Sequence, residues 1–557
     1  MKPVHAFTRY ARWNKTKYIK YAMILSALLL LMVLLKSGGK ERLLSDGICA
    51  IPVATQSGLV KGISDRETHT CSWRGIPYAA PPVDLLRWRP PQSPPTWTGV
   101  RAASKWGGSC MQPDNLLLRF MVADPSDEMG EDCLFLNIWR PKKEGTFPVV
   151  VIIPGGGFGM GTGNMPGYWG DRLAEHGDVV VVTFNYRLGM LGFLALPELR
   201  DEDHRRGTGN YGLLDQVAAL TWIRQNIKNF GGKPDNVTLL GQSAGGWSVC
   251  TLLASSKAEG LFHRAVMESG GCRHVETLDT GFQQGDKFAR QLGCEPHDLA
   301  CLRAVPADEI RDQTPLPSWT GFAYGPHIDG DLLTVAPIAH IRNGPVNRMP
   351  WIVGNNRDEL VLQLLGAANH LSDTPASEYE RVLADIFKIP PEQAGALAQR
   401  YPLVRFHNRP IKAFQRMATD IAFACPSRDS ATTAAAAGLP TYYYRFDYTD
   451  FRLGSVIGAT HGIEIPFVLD SFDRRSFGLF FNDDMAKRGQ PLSKIMQAYW
   501  LNFAKTGDPN AADLPQWPRF DPTNPKVHIL DKNIRDEPLR QANTCAFWRD
   551  RNLNMGW

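Results

Sequence analysis

The sequence predicts an α/β fold built on a mostly parallel sheet covered by helices on both faces. Three observations carry that prediction: short runs rich in Val and Ile recur along the chain, helical patterns lie between them, and no linker or internal repeat divides them. The runs are residues 149–153, 179–184, 237–240, 265–268 and 351–353. They are largely apolar rather than alternating, which is the pattern of strands buried on both faces. The clearest helical patterns are residues 213–230 and 492–505. In sheets of this kind the working residues gather in loops at the carboxyl ends of strands, so the chemistry is sought there.

At 557 residues the chain exceeds the usual ~100–200 residues of one domain, so it holds either several domains or one large core. A Pro-rich stretch at 81–95 resembles a linker, but it carries Leu85, Leu86 and Trp88, with Trp97 just beyond, and reads as a packed irregular segment. The formal net charge is +5, yet the first 46 residues hold nine basic residues against Glu41 and Asp46. That leaves 52 basic and 54 acidic residues, a net of −2, on residues 47–557. The basicity therefore belongs to the N-terminal segment, and the usual electrostatic argument for nucleic acid is removed.

Within that segment residues 21–35 form one uncharged apolar run, preceded by six basic residues and followed by Lys36. Fifteen residues is short of the ~20 that span a bilayer and at the top of the range for a signal-peptide core. Both readings export the body. Lys36 directly after the run favours an uncleaved anchor with its N-terminus inside, while Ser37, Gly38 and Gly39 offer a cleavage site. Ten cysteines agree with export. No Cys-x-x-Cys or His-Glu-x-x-His occurs, so the sequence gives no support for a metal.

The run 237–240 leads directly into Gly241, Gln242, Ser243, Ala244 and Gly245, and then into an apolar helical pattern. A serine on a sharp strand-to-helix turn needs small neighbours to avoid clashes, so Ser243 is the candidate nucleophile. A serine hydroxyl also needs a base, and donors for the oxyanion that forms. After the run 149–153 comes Pro154, Gly155, Gly156, Gly157 and Phe158, where bare backbone N–H groups can face a cavity. Gly156, Gly157 and Ala244 are the candidate oxyanion donors.

With these elements in place the chain resembles the type-B carboxylesterase and cholinesterase family of α/β-hydrolases, and bacterial carboxylesterases most. The resemblance runs from about Gly58 to Trp548 and includes Phe230 to Gly245 around the serine and Glu131 to Ile138 as a second signature. It implies a single large α/β-hydrolase domain over residues 47–557 and an acyl-enzyme mechanism that needs no cofactor. By the family's pattern Gly354, Asn355, Asn356, Arg357, Asp358, Glu359 holds the acid, with Glu359 the candidate and Asp358 its neighbour and rival. The base is implied at His461, ahead of Gly462 and Glu464. The order Ser243, Glu359, His461 follows that of the fold. The resemblance also implies disulfides Cys110–Cys133, Cys294–Cys301 and Cys425–Cys545. Cys49 and Cys71 are a further candidate pair, and Cys250 and Cys272, in apolar or Gly-rich surroundings, read as buried thiols.

The chain departs from cholinesterases in two ways. No Trp lies between Cys110 and Cys133 to stack on a quaternary ammonium, and Gln242 stands where they place a glutamate. Both departures argue against choline esters. Trp319, Phe322 and Tyr324 are candidates for an acyl pocket, with simple core packing the alternative. The only Asn-x-Ser/Thr beyond residue 46 is Asn236, at the start of the strand leading to Ser243, which favours a bacterial envelope protein over a secreted glycoprotein. The expected substrate is a small to medium carboxylic ester. A triacylglycerol, a lactone or an amide would suit the same chemistry, and a catalytically silent adhesion protein, like the neuroligins, is the alternative from another class.

Overall fold

Each of the five apolar runs forms a strand, and all five lie in one sheet. A computed structural model describes residues 47–65, 67–113, 128–315, 324–344, 347–361, 374–387, 389–539 and 542–550. The strands of the main sheet are β1 (Ile63–Ser64), β2 (Thr70–Pro77), β3 (Phe135–Pro141), β4 (Phe147–Ile153), β5 (Val180–Phe184), β6 (Gly232–Gln242), β7 (Arg264–Glu268), β8 (Trp351–Asn356), β9 (Thr441–Phe446), β10 (Lys526–Leu530) and β11 (Arg535–Pro538). Their spatial order is β11-β10-β9-β8-β7-β6-β4-β5-β3-β2-β1. Pairing is parallel from β10 across to β5 and antiparallel at both margins.

Successive side chains of a strand point to opposite faces, and here each face has its own core. Val149, Val151, Ile153, Leu239 and Val353 enter one. Val150, Ile152, Leu240, Val266 and Ile352 enter the other. Helix α1 (Tyr211–Asn226) and helix α2 (Ala244–Leu253) supply residues to the first core. The second is covered by the long C-terminal helix, which contributes Met496, Tyr499, Trp500 and Phe503. Burying one such side chain stabilises by roughly 1.5–3 kcal/mol.

The expected helix at 213–230 is α1 followed by a 3-10 turn, Ile227–Phe230. Two helices bracket a π-helical turn further on: α3 (Pro410–Thr419), the turn Asp420–Ala424, and α4 (Cys425–Ala436). The helix expected at 492–505 begins nine residues earlier, as α5 (Asp483–Thr506). Gly489 and Pro491 read as breakers in the sequence, but Asn482 caps the start by accepting from Met485 N at 2.9 Å. The Pro-rich stretch is packed as expected around Trp88, whose Nε1 donates to Met190 O at 2.9 Å, although Leu85 is exposed.

All ten cysteines are bridged. The three pairs implied by resemblance form, as does Cys49–Cys71. Cys250 and Cys272 are not thiols but a fifth disulfide, with Cα atoms 5.3 Å apart. Both are buried, as the surrounding sequence suggests, but burial alone does not separate a thiol from a bridge. The bridge forms because α2 packs against β7, which brings Cys250 over the loop that follows that strand. Ile48–Trp557 cluster as one compact unit. The apolar run 21–35 lies outside the described residues, among which no helix is long and apolar enough to cross a membrane.

Candidate active site

Ser243 sits between β6 and α2 with φ 58° and ψ −124°, a strained conformation for a residue with a side chain. The flanking glycines make it attainable. A Cβ on Gly241 would stand 2.1 Å from Gly245 O, and one on Gly245 would stand 2.1 Å from Ile153 O. Two bonds hold the turn: Ser243 N donates to Glu268 O at 2.8 Å, and Trp247 N donates to Ser243 O at 3.0 Å.

The glycine loop after β4 lies against this turn, since a Cβ on Gly155 would come within 3.0 Å of the Ser243 Cβ. Gly156 and Gly157 take φ values of 127° and 60°, and a Cβ on Gly156 would meet Met160 O at 2.1 Å. Among the described residues the N–H groups of Gly156, Gly157 and Ala244 donate to no protein acceptor. Unpaired backbone donors in such a setting are suited to an anionic oxygen.

Glu359 and His461 meet. His461 Nδ1 donates to Glu359 Oε2 at 2.6 Å, and the His461 backbone N donates to Glu359 O at 3.0 Å. Glu359 is fully buried, and its Oε1 accepts from Ser269 Oγ and from Asn356 N, both at 2.7 Å. Asp358 faces elsewhere: its Oδ2 accepts from Arg357 Nε at 2.8 Å and Ala459 N at 3.0 Å. With Nδ1 committed to Glu359, His461 Nε2 is left to accept, and Gln242 Nε2 stands 3.3 Å from it. No hydrogen bond joins Ser243 and His461 in this structure. Such bonds are often long before substrate binds.

Two more carboxylates, Glu268 and Glu464, are buried close by. Asn356 Nδ2 donates to Glu464 Oε2, and Trp500 Nε1 donates to Glu268 Oε1 at 2.7 Å. Burial, reinforced by Glu359, pushes Glu464 up to about 7. Burial and Glu464 push Glu268 well above the usual carboxylate range. For His461 burial pulls downward, but Coulomb attraction to Glu359 and the hydrogen bond that His461 donates to it, with help from Glu464, hold it above its ordinary value.

An aromatic column covers His461. Phe423, in the π-helical turn, has its ring centroid 4.6 Å from that of His461 and 5.9 Å from that of Trp247. Trp247 stacks in turn on His274 at 4.0 Å, and Phe158 lies 6.0 Å from Trp247. Burial, and then Arg273, lower His274 to about 3, so its ring is neutral. Of the expected acyl-pocket residues, Trp319 and Phe322 lie outside the described residues. Tyr324 is buried, and the neighbouring Gly325 approaches Phe158.

Ser269, Asn356, Glu268, Glu464 and Phe423 were not foreseen as parts of the site. Glu268 left a signal, as a charged residue ending an apolar run, and Glu464 stands three residues after His461. Asn356 stands three residues before Glu359, within the motif that holds the acid, whereas Ser269 and Phe423 carry no signal because each acts through a contact made only in three dimensions.

The eleven-stranded sheet, the strained serine turn and the buried carboxylate on a histidine define an α/β-hydrolase. The model of the carboxylesterase family matches residues 50–548, and the chain belongs to that family of carboxylic-ester hydrolases. It is 35% identical to the para-nitrobenzyl esterase of Bacillus subtilis over 496 residues, covering 87% of this chain and 96% of that one. It is 32% identical to human cocaine esterase over 552 residues, covering 93% and 94%. Among solved structures, a Geobacillus stearothermophilus carboxylesterase superposes with a TM-score of 0.76 at 32% identity, covering 89% of this chain and 99% of that one.

Proposed function

We propose that the chain hydrolyses small to medium carboxylic esters through an acyl-enzyme formed on Ser243. The observation that carries this reading is the 2.6 Å bond from His461 to a fully buried Glu359, in loops that converge on the strained serine turn. His461 takes the proton of Ser243 as its oxygen attacks the ester carbonyl and returns it to the leaving alcohol. Glu359 fixes the imidazole tautomer and stabilises its cation. Gly156, Gly157 and Ala244 donate to the tetrahedral oxyanion, each such donor typically worth ~3 kcal/mol. Water, activated by the same histidine, then releases the acid. The aromatic wall of Phe158, Trp247 and Phe423 supports a limited acyl length, since Trp247 lies one turn along the helix that follows Ser243 and the other two rings pack on it.

Fluorophosphonate labelling tests the mechanism. Stoichiometric labelling of Ser243, lost in Ser243→Ala, is the expected result; folded protein that takes no label would point instead to a silent, adhesive member of the fold. A series of nitrophenyl esters tests the substrate class, with turnover falling as the acyl chain lengthens. A preference for long chains in emulsions would make the enzyme a lipase.

The five disulfides are those of an exported protein. The proposal extends to an N-terminal anchor at residues 21–35, with the catalytic body outside, on the strength of the basic residues flanking that run. Carbonate extraction of membranes checks it, and release of all activity into the soluble fraction would contradict it.

A further inference from the structure

A cavity borders the turn that carries Glu359, and no step of ester hydrolysis uses it. Its volume of about 580 Å³ lies in the range of roughly 300–1,000 Å³ typical of small-molecule sites. The wall is basic. Arg357, Arg405, His407, Arg409, Lys412 and Arg416 line it, and Asp358 is the one carboxylate among the described lining residues. Two of the cations are already matched: Arg357 donates to Asp358 at 2.8 Å, and Arg416 donates to the buried Asp420 at 2.5 Å. Arg405, Arg409 and Lys412 have no ion-pair partner among the described residues. Because residues 47–557 carry a net of −2, this concentration of unmatched positive charge is local rather than a sign of general basicity.

The backbone contributes to the same arrangement. His407 and Asn408 are consecutive left-handed residues, with φ 52° and 55°, a conformation that is costly outside glycine. They form the tight loop before α3 that sets Arg405 and Arg409 on one cavity. Guanidinium forks pair bidentately with carboxylate or phosphate oxygens, and two of them with an ammonium favour a ligand bearing more than one such group. A concave site of this size suits a free molecule better than a flat bilayer. We infer that this cleft binds a small soluble polyanion, carrying two or more phosphate or carboxylate groups, through Arg405, Arg409 and Lys412.

Isothermal titration of the purified full chain with pyrophosphate and, separately, with citrate at fixed ionic strength tests the inference. One saturable site per chain is expected for at least one of the two. Its affinity should fall ten-fold or more in Arg405→Gln/Arg409→Gln/Lys412→Gln, and about three-fold or more in Arg409→Gln alone. A charge-matched control, Lys233→Gln/Lys494→Gln/Lys526→Gln, removes three exposed lysines elsewhere and should keep the parent affinity. Circular dichroism without anion verifies that each variant is folded. Absence of saturable binding, equal weakening in the control, or binding only to phosphatidylglycerol vesicles would overturn the inference.

Discussion

In the proposed mechanism His461 is the residue on which the pH behaviour of the enzyme turns. A general base must be neutral to accept the serine proton, so kcat/KM should rise with pH, with a midpoint above the ordinary histidine value because Glu359 and Glu464 favour the imidazolium. In Glu359→Gln both contributions of that carboxylate disappear while burial remains, so the midpoint should move to lower pH, along with a large loss of rate. A pH–rate profile of each variant checks this, and an unmoved midpoint would count against His461 as the base. Ser269→Ala removes one of the donors to Glu359 Oε1. Hydrogen bonds to charged groups contribute about 1.5–3 kcal/mol, so a fall in kcat/KM of roughly ten-fold or more is expected. Ser243, Gly156 and Gly157 were legible in the sequence because their demands are local: a sharp turn and bare backbone. Glu359 and His461 were legible only by resemblance, since 102 positions separate them and no spacing rule connects them. Ser269 was invisible for the same reason, 90 positions from the carboxylate it serves.

At the level of elements, the serine turn and the π-helical turn are the two places where regular structure yields to the site. Gly241→Ala would drive a methyl group into the backbone of Gly245, which has no flexible end to move aside. Loss of soluble expression or of fluorophosphonate labelling is the expected outcome. The π turn interrupts α3 and α4 where Phe423 meets His461, in keeping with the frequent use of such bulges at functional sites. The Cys250–Cys272 bridge ties α2, which begins just after Ser243, to the loop that carries Ser269. Closing a loop of this length contributes about 3 kcal/mol in the chain-entropy model. Cys250→Ser/Cys272→Ser should therefore lower the thermal midpoint by several degrees, readable by calorimetry, with the protein still folded. The apolar runs foretold the five central strands, whose two faces are both covered, but not the six that lie to either side of them. It foretold α5 only in part, because Gly489 and Pro491 mark a break that packing and the Asn482 cap override.

For the whole molecule, the buried carboxylates set a dependence of stability on pH. Glu464 has an ordinary value of 4.5 and is raised to about 7 in the folded state. Between those values the native protein holds a proton that the unfolded chain has lost, so this group's contribution to stability declines as pH rises through that window and stays low above it. Glu464→Gln carries no such penalty. Relative to the parent, the variant should gain stability from pH 4.5 to 7 and hold the gain at pH 8, as denaturant unfolding at several pH values would show; an equal difference at pH 4 and pH 8 would contradict it. The order of the strands also bears on how an exported chain is made. From β6 to β11 each new strand joins the edge left by the one before it, so synthesis from the N-terminus can widen the sheet without threading a strand between two already paired. His461 comes after β9, and Cys545, which closes the longest disulfide loop, comes later still. A nascent chain that has completed β9 but not yet reached residue 461 therefore presents most of the sheet without its proposed base, and hydrolytic competence waits for His461.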